Sequence, residues 1–101
     1  MSEVFELKKN KTFTLQEARG ILPLVKKITQ EAVEQTEEGQ EMPLIAEKWS
    51  EKILKLGCEP KGLWMVDFDN GQGFYCWHYP EEDVDFFHSY QDGFNGRTPI
   101  L

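Results

Sequence analysis

The chain is short of several things, and each shortage excludes something. No apolar run approaches the ~20 residues that a membrane-spanning helix needs, although 40% of the 101 residues are hydrophobic. The opening MSEVFELKKN carries charges where a signal peptide would need its apolar core, so a cytoplasmic protein is expected. Cysteine is scarce, and in that compartment Cys58 and Cys76 are expected as two reduced thiols rather than a disulfide. Bases nearly vanish from the second half: residues 62–101 hold seven acids against Arg97 alone, whereas residues 1–61 hold ten Lys/Arg against eleven Asp/Glu. Such a half repels a phosphate backbone, which argues against nucleic acid as a partner. The net charge of −7 serves solubility, with a basic protein partner as the sharper reading.

There is no internal repeat and no low-complexity tract. What is present reads as a single domain over residues 1–101. In FTLQEARGILPLVKKITQEAVEQTEE, Thr14 and Glu17 have capping-box spacing, and Phe13 stands where a hydrophobic staple would. Leu15, Ala18, Leu22, Val25, Thr29 and Ala32 then mark one face of an amphipathic helix. Pro23 lies inside that pattern and predicts a kink near Arg19–Gly20 rather than a break. PLIAEKWSEKILKLG predicts a second helix, with Ile45, Trp49, Ile53 and Leu56 facing inward and Gly57 as its stop. A short link makes the two antiparallel, giving a helical hairpin over about residues 14–57.

The period then changes. LWMVDF and FYCWHY flank Asn70–Gly71, a hairpin signal over about residues 62–79. A two-residue turn there sets Asp69 against Gln72, Val66 against Tyr75 and Trp64 against Trp77. One face of the hairpin then carries Trp64, Val66, Phe68, Tyr75, Trp77 and Tyr79, and predicts the core. The opposite face, with Met65, Asp67, Phe74, Cys76 and His78, is too apolar to be simply solvated, so the C-terminal segment or a second subunit must cover it. In EEDVDFFHSYQDG the acids suit a helical first turn, and Val84, Phe87 and Gln91 share a helical face; a strand is the runner-up. The expected fold is therefore α+β: a kinked antiparallel helical hairpin packed on a β-hairpin, with a short C-terminal helix and ordered tail over about residues 81–101. Two strands alone make a marginal sheet. A homodimer is expected on that ground, with Leu24, Ile28 or Trp49 between subunits.

The blocks GCEPKGL, VDF, FYCW, EEDVDFFH and GFNGRTPI resemble, in that order, those of a small bacterial family, domain of unknown function 2203. FTLQEARGILPLV resembles the family's proline-bearing opening helix, so the resemblance spans about residues 12–100. It places the family's pattern on Asp67, Phe68, Cys76, Trp77, His88, Gly93, Phe94, Gly96, Arg97 and Pro99. The stretch before VDF is shorter here than in the family, and His78 replaces a residue that is more often basic. The resemblance implies a fold but no activity.

For chemistry, Cys76 and His78 point to one strand face and, with Cys58 or His88, supply the donor types of a zinc site. Their spacing matches no recurring ligand pair, so no metal and no cofactor is expected. For a Cys76 nucleophile, His78 at ~6.5 Å along the strand is a poor base, although His88 could reach from the C-terminal element. Asp67, opposite Phe74, is ~13 Å from His78 and cannot orient it. Only a slipped register would unite them. The closing turn GFNGR is the stronger candidate. Gly93, Gly96, Arg97 and His88, with Asp67, could form a small-anion site on a binding or protein-interaction module. The bland alternative is a tie in which Arg97 pairs with Asp67 or Asp92 and pins the tail. The second class of function is a small metal-dependent or cysteine-based hydrolase-like enzyme using His88, Cys76 and Asp67.

Overall fold

The structure, a computed structural model, describes residues 11–101; the opening segment read against a signal peptide lies outside them. Helix α1 (Leu15–Glu37) begins at the capping box, where Thr14 Oγ1 accepts from the Glu17 N–H at 3.0 Å and Glu17 Oε1 accepts from the Thr14 N–H at 2.9 Å. Ala18, Leu22, Val25, Thr29 and Ala32 are buried along its inner face. The helix runs through Pro23 without dividing in two. Each buried aliphatic side chain contributes about 1.5–3 kcal/mol, so the in-phase row offsets the roughly 3 kcal/mol that an interior proline costs.

Helix α2 (Met42–Lys55) carries Pro43 in its first turn and buries Ile45, Trp49 and Ile53. It is tied to α1 by a buried hydrogen bond, Trp49 Nε1 donating to Thr29 Oγ1 at 2.9 Å. Trp49 is therefore inside this chain's own core and not available between subunits. Leu24 is exposed, and Ile28 packs at the core's edge.

The hairpin is part of a larger sheet. Among the described residues, five antiparallel strands follow one another in chain order: β1 (Glu59–Lys61), β2 (Met65–Asp69), β3 (Phe74–His78), β4 (Phe86–His88) and β5 (Thr98–Pro99). Both edge strands, β1 and β5, contain a proline, Pro60 and Pro99, where the missing donor breaks no interior ladder. With five strands in one chain, the weakness of a two-stranded sheet no longer calls for a second subunit. The inner face, with Val66, Phe68 and Trp77 fully buried, packs on the helices and on Phe13, Cys58 and Val84.

Two expectations change. The turn between β2 and β3 has four residues, because Asn70 Oδ1 accepts from both Gln72 and Gly73 N–H groups while Asp69 Oδ1 accepts from Gly71. Asp69 therefore pairs with Phe74, Val66 with Trp77 and Asp67 with Cys76. The slip is even, so each residue keeps its expected face. The expected helix after Pro80 is instead an irregular segment, bent at Glu82–Asp83, that leads into β4, and the helical turn beyond it among the described residues is the 3₁₀ turn Phe94–Gly96. The acids read as a helical first turn answer to α1 instead: Arg19 donates to the Val84 carbonyl at 3.0 and 3.2 Å and faces Asp83 and Asp85. Asp83 also accepts from the Val84 N–H, a local bond that competes with helix formation.

Two glycine substitutions should move stability in opposite directions. Gly20, in α1, has open space where a Cβ would stand. Gly20→Ala should stabilise by about 1 kcal/mol, raising the melting temperature by roughly 4–8 °C. At Gly73 a Cβ would lie 2.6 Å from the His88 carbonyl oxygen. Because that neighbour is backbone, Gly73→Ala should cost about 1–3 kcal/mol. Thermal denaturation of both variants checks the pair.

Candidate functional site

The even slip has a chemical result. Asp67 on β2 stands directly across from Cys76 on β3, and β4 pairs with β3 so that Phe86 meets Cys76 and His88 meets Phe74. All of these side chains share the outer face of the sheet, away from the helices. Asp67, Cys76 and His88 are buried there, and each offers one donor atom within 4.8 Å of the others.

His88 is held at both ring nitrogens. Nδ1 lies 2.9 Å from the Ser89 carbonyl oxygen, and Nε2 lies 3.1 Å from Asp67 Oδ2. A carbonyl only accepts, so Nδ1 carries a hydrogen. Nε2 then faces a carboxyl group with a single proton between them: either imidazolium meets carboxylate, or neutral imidazole accepts from a protonated Asp67. Burial raises the Asp67 carboxyl above its ordinary range, and the neighbouring His88 opposes that shift. Asp67 Oδ1 has no hydrogen-bond partner of good geometry among the described residues; the Cys76 thiol is near enough for a weak bond to this carboxylate, which adds to holding the thiol's proton on. An unsatisfied buried acceptor costs roughly 1–3 kcal/mol. The Cys76 thiol is itself pushed up to about 12, by burial first and by Asp67 second.

Above this cluster is a cleft of about 120 Å³ lined by Asp67, His88, Phe74, Tyr90, Phe94 and Lys61, among others. Its rim is braced: the Tyr90 hydroxyl donates to Asp69 Oδ1 at 2.7 Å, and the Tyr90 ring meets Phe74 edge-on.

The closing turn lies beside the cleft. Arg97 Nη2 donates to both carboxylate oxygens of Glu81 at 2.8 Å, and the guanidinium is sandwiched between the Phe86 and Phe94 rings at 4.0 and 4.6 Å. Its partner is thus Glu81, not Asp67 or Asp92. Glu81 also accepts from the His78 N–H, so one carboxylate joins the end of β3 to the tail. The N–H groups of Gly96 and Arg97 donate to the Gly93 and Phe94 carbonyls within the turn. Gly96 is required by space, since a Cβ there would meet the Asp92 side chain at 2.5 Å. Gly93 lines the cleft.

Of the residues singled out from sequence, Asp67, Cys76 and His88 come together, and Gly93 and Arg97 flank them. His78 pairs with Met65 outside the cluster, and Cys58 sits in the hydrophobic core on the helix side. Glu81, Ser89 and Tyr90 went unforeseen. The alternation of Phe86 and His88 about Phe87 was the one sequence signal for β4, and the acids before it masked that signal.

A model of the family described as uncharacterized conserved protein (DUF2203) matches residues 34–100. The match starts within α1, so FTLQEARGILPLV lies outside it. No curated protein and no solved structure matches the chain.

Two measurements bear on the site. Asp67→Asn keeps a donor for His88 Nε2 without burying a charge, and with EDTA present it should equal or exceed the wild type by about 1–2 kcal/mol at pH 8. A carboxyl whose folded pKa is raised binds its proton more tightly in the folded state, so wild-type stability falls as pH rises from the unfolded value toward the folded one. The difference between the two proteins should therefore shrink toward pH 4, as read by urea denaturation. Arg97→Ala removes a stacked side chain and leaves Glu81 without its cation, and should cost about 2 kcal/mol or more. Arg97→Lys should not restore the loss, because an ammonium cannot stack between two rings as a guanidinium does.

Proposed function

We propose, for a chain that belongs to the DUF2203 family of uncharacterised conserved proteins, that it is a binding module whose working site is the cleft on the outer face of β2, β3 and β4. The observation that carries this reading is the buried Asp67–His88 pair, both members of which line the cleft floor. A buried ionisable pair is weak as a device for stability, since apolar residues of similar volume would hold a fold at least as well. Perturbed, paired groups beneath a cleft favour a role in recognition.

The size of the cleft limits the occupant. Pockets for drug-sized molecules run to about 300–1,000 Å³, against about 120 Å³ here, which suits an ion or a molecule of a few heavy atoms. Cysteine catalysis is the weaker reading on two counts. Neither His88 nitrogen is free to act as a base toward Cys76, and the thiol is fully buried and pushed up to about 12, far from the thiolate that a nucleophile needs.

Small probes test the site. In a titration of metal-free protein with acetate and with imidazole, followed through backbone amide signals, saturable shifts should cluster at Asp67, His88, Tyr90 and Phe94. Ala32 and Trp49 should not respond. Shifts spread evenly over the surface, or none at the cleft, would remove the proposal.

A further inference from the structure

We infer that Asp67 and His88, which line the floor of this cleft, and Cys76, buried next to them beneath it, form a three-ligand site for a zinc-class divalent transition-metal ion. The inference rests on the cleft being the working site and names its occupant.

The donor set comes first. One thiolate, one imidazole and one carboxylate suit zinc and its neighbours, whereas calcium and magnesium take oxygen. Three protein ligands also leave a fourth position for water or a bound molecule. The separations fit as well. Zinc–ligand bonds of ~2.0–2.3 Å in a tetrahedron set the donor atoms about 3.3–3.6 Å apart. The three donors lie within 4.8 Å of one another, and His88 Nε2 is 3.1 Å from Asp67 Oδ2. Closing the set needs rotamer adjustment of the order of 1 Å, not movement of strands.

The surroundings are those of a ligand sphere. A metal-bound histidine usually donates its other ring N–H to a carbonyl or carboxylate, which fixes the tautomer. His88 Nδ1 has that partner in the Ser89 carbonyl, leaving Nε2 turned toward Asp67. Asp67 Oδ1, buried and without a hydrogen-bond partner of good geometry among the described residues, is a second oxygen available to the ion or to a water it holds. The ligands come from three adjacent strands, so sheet hydrogen bonds fix their spacing. Nearby cations are already neutralised, Arg97 by Glu81 and Lys61 by Glu59.

The proton balance closes. Binding displaces the Cys76 thiol proton and the proton shared by Asp67 and His88, while Nδ1 keeps its own. The dication then meets two negative ligands and one neutral one, and two protons leave to solvent.

The experiment titrates metal-free, reduced full-length protein with Co²⁺ and records its absorption. The expected result is a one-to-one complex with a thiolate-to-cobalt charge-transfer band. Cys76→Ser should lose the band, and His88→Gln should weaken Co²⁺ binding by more than about 100-fold, the upper range for losing a residue that only supports a ligand. Cys58→Ala should leave both unchanged. Zn²⁺ should raise the melting temperature of the wild type and not of Cys76→Ser, a comparison that holds even where His88→Gln folds poorly. No band together with no Zn²⁺ stabilisation of the wild type overturns the inference, as does a band that follows Cys58. If Co²⁺ fails while acetate and imidazole still shift the cleft, only the metal falls; if the probes fail too, the binding-module reading falls with it.

Discussion

The pairing of β2 with β3 is the constraint from which the rest follows. It is set by two short side chains, Asp69 and Asn70, whose Oδ1 oxygens accept from three backbone N–H groups and hold a four-residue turn. With that turn in place, Asp67 must oppose Cys76, and the inner face must present Val66, Phe68 and Trp77 to the helices. A one-residue slip would turn the Asp67 carboxyl into the aromatic core. The energetic penalty of that slip, a carboxyl buried without its partners, exceeds what any single turn residue contributes. Turn chemistry and core burial thus specify the same register.

The two arginines divide the labour of holding the C-terminal third of the chain. Arg19 reaches from α1 to the Val84 carbonyl and pins the segment before β4 to the helical layer. Arg97 works on the other side of the sheet, clasping Glu81 while its guanidinium lies against the Phe86 and Phe94 rings. Arg19 is half exposed and its ion pairs are worth little by themselves, so its bond to a backbone carbonyl is the firmer contact. Arg97 is almost enclosed, which makes its pair with Glu81 the less forgiving of the two. Between these anchors lie Phe86 and His88, and the cluster inherits its rigidity from both.

Much of this architecture was legible from residue spacing. The capping box at Thr14, the buried row from Ala18 to Ala32 and the aromatic inner face of the hairpin all stand where their periods put them. What was not legible involves competition between local and distant partners. Asn70–Gly71 favours a two-residue turn in isolation, but Asp69 and Asn70 together can cap a longer one. Glu81, Asp83 and Asp85 resemble a helix start until Arg19 and Arg97, far off in sequence, claim them. The candidate site depended on the same point: Asp67, Cys76 and His88 could be singled out as residues, but their meeting required the register.

Pro60 and Pro99 carry a consequence for how this molecule can meet others. They occupy opposite rims of the sheet, each in a strand only two or three residues long. A neighbouring chain that tried to extend the sheet by backbone pairing would find too few donors at either rim to hold a ladder. Fibrillar stacking and strand exchange are thereby discouraged, and recognition is left to side chains on the faces.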